Sequence, residues 1–94
     1  MNRDGMSTEV RLLSPPTNYA IVQLPERAFP GVVIQGDTLH SLVNRIDELV
    51  RLLAAGQIDE VSAGLEDISG DLAAAMRHYE EVCADRGIGL PFIS

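Results

Sequence analysis

Phe29-Pro30-Gly31-Val32-Val33-Ile34-Gln35-Gly36-Asp37-Thr38-Leu39-His40-Ser41-Leu42 decides the fold, because a strand hands over to a helix inside it. Pro30-Gly31 is a turn pair, and the β-branched run Val32-Val33-Ile34 suits a pleated sheet. Gly36 permits a sharp turn, and Asp37 is placed as a helix cap that accepts from the first free amides. Leu39, Leu42, Val43 and Ile46 then open an apolar face at helical spacing.

Upstream, residues 1–7 are polar and are expected to be a disordered N-terminus. Thr8 to Leu13 alternates, with Val10 and Leu12 predicted to face inward and Glu9 and Arg11 outward. Ser14-Pro15-Pro16-Thr17-Asn18 reads as a loop. A second strand is predicted from Tyr19 to Leu24, ended by Pro25, and a third over residues 31–35. Short loops between three short strands favour an antiparallel meander.

Downstream, a first helix is predicted from Thr38 to Ala55, with Leu39, Leu42, Val43, Ile46, Leu49, Val50 and Leu53 as its buried stripe. Gly56 stands where a helix-ending glycine belongs, and Asp59 is the expected N-cap of a second helix over residues 59–86. Val61, Leu65, Ile68, Leu72, Met76, Tyr79 and Val82 recur along that helix. Gly64 and Gly70 interrupt it, each costing roughly 1 kcal/mol relative to alanine, with a kink expected near Ser69-Gly70. The apolar tail Ile88, Leu90, Pro91, Phe92, Ile93 should pack back onto the sheet, between the helices, or on a partner. The expected architecture is α+β, in the order β-β-β-α-α. A three-stranded antiparallel sheet would carry a helical hairpin on one face, in a single domain over residues 8–94.

Pro30-Gly31-x-x-x-Gln35-Gly36-Asp37-Thr38-Leu39-x-x-Leu42 resembles the central motif of HicB-type antitoxins. The likeness extends over about residues 8–53, with His40-Ser41 where that family places an acidic pair. It implies a toxin-neutralising function exercised by direct protein contact. The chain is also similar to small bacterial proteins that share its Arg27-x-Phe29-Pro30-Gly31-Val32-Val33-x-Gln35-Gly36-Asp37 core.

A chain of 94 residues makes a modest core, which self-association into a homodimer would enlarge. With two Tyr, two Phe and no Trp, that core is aliphatic. All seven basic residues are Arg. Residues 1–36 balance three Arg with three acids, whereas residues 37–94 set eleven acids against four Arg, so the net charge of −7 falls entirely in the helical part. Such a surface repels nucleic-acid phosphates and anionic membranes, and it speeds encounter with a basic partner. No stretch approaches the ~18 apolar residues of a membrane span, and no secretory signal is recognisable near the N-terminus, so a cytoplasmic location is expected.

No catalytic or metal constellation is legible. His40, His78 and Cys83 lack a second ligand at metal spacing, so neither metal nor cofactor is expected, and Cys83 reads as a small buried hydrophobe. His78 is expected on the solvent side of the second helix. Adjacent acidic pairs splay around the helices instead of converging across a cleft, of which a chain this size should offer little. The candidate partner-binding residues are Arg27 and Phe29 in one loop, and Glu60, Asp67, Asp71, Glu81 and Asp85 along one side of the second helix. A protein-binding module, an antitoxin or immunity protein for a basic toxin, is therefore the expected function. The alternatives are a small enzyme or ligand-binding protein using the turn at Gln35, Asp37, Thr38 and His40, and an accessory protein that assembles through sheet edges.

Overall fold

The computed structural model describes residues 9–92; the expected disordered segment 1–7 lies outside them. The chain is α+β. Strands β1 (Arg11–Leu12), β2 (Tyr19–Gln23) and β3 (Gly31–Ile34) form an antiparallel sheet in the order β1-β2-β3, followed by helices α1 (Gly36–Ala54) and α2 (Ile58–Asp85). The chain falls into two compact units. One holds the strands up to Val33 and the chain from Tyr79 onward, and the other is Ile34–His78. Helix α2 belongs to both, since Tyr79 falls within its span.

In the first unit, Leu13, Ile21, Tyr79, Val82 and Cys83 make the core, and Ile88 and Leu90 pack against it. The last two turns of α2 therefore cover the sheet. Ala20, Ile21 and Val22 are buried in succession, as suits a middle strand. The first strand corrects the expectation: only two residues pair, Val10 and Leu12 are half exposed, and Leu13 is the buried residue. A two-residue strand is too short for alternation to report its face.

Register explains the change. Arg11 pairs with Gln23 and Leu12 with Val22, and the Leu13 N–H still donates to the Ile21 carbonyl at 2.8 Å. The Ile21 N–H then donates to the Ser14 hydroxyl at 2.9 Å instead of to the Leu13 carbonyl. That carbonyl accepts from Arg86 Nε at 3.1 Å. A second tie runs from the Tyr79 hydroxyl to the Pro30 carbonyl, 2.8 Å, just before β3. Side chains from the last turns of α2 and from Arg86 just after it thus hold backbone groups flanking both outer strands. The tail joins the same core: Phe92 stacks on Tyr79 with ring centroids 6.4 Å apart.

In the second unit, Leu42 and Leu49 of α1 meet Ile68 of α2, with Leu52 beside them. Both helices stop on a left-handed glycine, Gly56 (φ 77°) after α1 and Gly87 (φ 68°) after α2. Gln57 N–H donates to Leu52 C=O and Gly56 N–H to Leu53 C=O; Ile88 and Gly87 repeat the pattern on Cys83 and Ala84. These are two Schellman endings. The starts lie earlier than predicted. Gln35 takes the N-cap position of α1 without a side-chain bond, Asp37 sits in the first turn, and Asp59 lies inside α2. Asp37 still serves that end, because its carboxylate accepts from the Thr38 N–H at 2.8 Å and faces the positive end of the helix dipole.

Candidate functional site

Helix α2 presents the acidic candidates. Glu60, Asp67 and Asp71 in one unit, and Glu81 and Asp85 in the other, are all exposed. They are not equivalent. Asp71 is bound to Arg45 of α1 at 2.8 Å, a partly exposed ion pair, so its charge is locally compensated. His78, placed on the same side by its spacing, is instead half buried, with its Nε2 enclosed and unpartnered. It stands where the polar side of the helix meets the apolar side, and spacing alone does not resolve that boundary.

Between α1 and α2 lies an open groove of about 530 Å³, larger than the sequence led us to expect. His40, Asn44, Arg45, Glu48 and Asp67 supply its polar wall, and Leu49, Gly64 and Ile68 its floor. Gly64 lets Leu49 come close there: a Cβ at Gly64 would collide with the Leu49 side chain. The groove was illegible in the sequence because its walls come from two different helices, whose pairing no local pattern encodes. Of the strand-to-helix turn, only His40 lines it; Gln35 and Asp37 are exposed and Thr38 is half exposed.

The loop bearing Arg27 and Phe29 is built more tightly than its composition suggested. Gln23 Nε2 donates to the Leu24 and Arg27 carbonyls at 3.0 and 2.7 Å, and Glu26 adopts a left-handed φ of 64°. Such a conformation is unfavourable for a residue with a Cβ. It turns the chain so that Arg27 is exposed and Phe29 is 44% exposed, as an anchor for a partner requires.

A family model described as a family of unknown function (DUF6959) matches residues 6–92. The chain belongs to this family. No curated protein and no solved structure matched it. The matched residues of this DUF6959 chain take in the sheet, both helices and every candidate residue above. Among the described residues, no group of three His, Cys, Asp or Glu side chains is placed to hold a metal ion, and no helix is long and apolar enough to cross a membrane. Cys83 is fully buried in the core of the first unit.

Proposed function

We propose that this chain is a non-catalytic protein-binding module that neutralises a basic toxin by direct contact, as an antitoxin or immunity protein does. One observation carries the reading. Glu60, Asp67, Glu81 and Asp85 stand exposed at helical register on α2, and none of them forms an ion pair among the described residues. A surface of that sign accelerates capture of a cationic protein and competes with nucleic acid for the same basic face. Arg27 and Phe29 supply the kind of side chain that slows dissociation once contact is made. The resemblance of Pro30–Leu42 to HicB-type antitoxins points the same way.

The test is co-purification from the native host, followed by expression of the captured partner with and without this chain. Growth arrest by the partner alone, relieved by the chain, is the expected result. A partner that is harmless, or whose toxicity persists, contradicts the reading.

The groove favours a second reading, binding of a small polar ligand between Arg45 and the carboxylates of Glu48 and Asp67. Filling it from the exposed wall with Ser41→Trp would abolish such binding while leaving toxin neutralisation untouched.

A further inference from the structure

Helix α1 carries a second apolar edge that its contact with α2 does not use. Leu39, Val43, Ile46, Val50 and Leu53 follow one another at intervals of four, three, four and three residues, and each is 48–61% exposed. That is a heptad seam, with β-branched Val43 and Val50 at the a positions and Leu39, Ile46 and Leu53 at d. Helix α2 has a matching edge in Ile58, Leu65, Leu72 and Met76, each 45–59% exposed.

Both edges lie on one side of the hairpin. On each helix the exposed line is reached by turning in the same sense from the buried line, Leu42–Leu49 on α1 and Ile68 on α2. In antiparallel helices equal senses bring the two lines to one side. A helix with two apolar seams belongs in a four-helix bundle, where it has two neighbours. Within the unit Ile34–His78, α2 is the one helix packed on α1 among the described residues.

The surface is also shaped to receive its own kind. Beside Leu65, α2 holds a shallow groove of about 470 Å³ walled by the small residues Ser62, Ser69, Gly70 and Ala73. Large side chains ridge α1, and small ones hollow α2. One chain thus carries a ridge and a groove, which is what a two-fold interface needs, each copy giving what the other takes. Nine large side chains about half exposed amount to on the order of 800 Å² on one copy. That is the area each partner brings to a standard interface, and more than an ordinary monomer leaves bare. Of these ridge and groove residues only Glu66 is charged, so copies of net charge −7 can meet there without opposing carboxylates across the seam.

We infer that the exposed edge of the α1–α2 hairpin is the interface of a two-fold homodimer, the α1 ridge of each copy seated in the α2 groove of the other, forming a four-helix bundle.

Sedimentation of the full chain over a micromolar concentration series should show a species of twice 10.2 kDa. Ile46→Lys on the ridge and Ser69→Glu in the groove should each weaken association at least ten-fold, with helical circular dichroism unchanged because both positions are exposed. Mixing the two variants should restore the dimer: one contact is then wild type, and the other sets Lys against Glu. A wild-type chain that stays monomeric throughout overturns the inference, including the case where its own sheet covers the edge. So does a dimer that either substitution leaves intact, or a mixture that fails to associate.

Discussion

At Leu13 the β1–β2 ladder changes hands, and single side chains complete it. Ser14 takes the Ile21 N–H and Arg86 takes the Leu13 carbonyl, so a hydroxyl and a guanidinium replace one ladder bond. Ser14→Ala leaves a buried N–H without a partner and should cost about 1–3 kcal/mol in urea unfolding, whereas Thr17→Ala, in the exposed loop, should cost far less. Tyr79 has a pH signature. Burial raises its pKa above the usual value of 10, and the neighbouring Cys83 raises it further. The folded state therefore holds the phenolic proton more tightly than the unfolded state does. The stabilisation is fully present below about pH 10 and is lost as pH rises through the higher folded value. Unfolding free energy should fall over that alkaline range in the wild type, and Tyr79→Phe should flatten the fall while lowering stability at neutral pH.

Among the elements, the two interior glycines of α2 should respond to alanine with opposite signs. A Cβ at Gly70 meets nothing within one copy, so in the monomer, at low protein concentration, Gly70→Ala should stabilise by roughly 0.5–1 kcal/mol through helix propensity. A Cβ at Gly64 runs into Leu49, itself buried against Leu42 and Ile68, so overpacking of roughly 1–3 kcal/mol should outweigh the same gain. Thermal melts of the two variants on either side of the wild type check this. The helices were legible in the sequence because a period of 3.6 over nineteen and twenty-eight residues averages out local noise, and because Gly56 and Gly87 mark their ends. The caps were placed too late because Gly36 and Ile58, poor signals of a helix start, are already helical. Five of the seven α1 residues read as a buried stripe, Leu39, Val43, Ile46, Val50 and Leu53, are about half exposed, because periodicity identifies an apolar face and not whether anything covers it. The ties of Tyr79 to Pro30 and Arg86 to Leu13 span 49 and 73 residues, and no local pattern encodes them.

On the scale of the whole molecule, charge and apolar surface are sorted onto different residues, and salt should separate their roles. Copies of net charge −7 repel, so raising ionic strength should tighten the homodimer, whereas it should slow capture of a cationic partner. Removing metal should alter neither the fold nor these associations: exhaustive dialysis against a chelator should leave the melting temperature unchanged, and a large drop would contradict that. Partner capture by the acidic side of α2 is the central claim, and stopped-flow association with the purified partner tests it most directly. The variant to compare is Asp67→Asn, Glu81→Gln, Asp85→Asn, which spares Asp71 and its bond to Arg45. At low salt it should associate roughly ten-fold or more slowly than the wild type, and the two rates should converge as salt rises, because such charges act mainly on encounter. Equal rates at low salt would contradict the account and leave the acidic side of α2 as solvated surface.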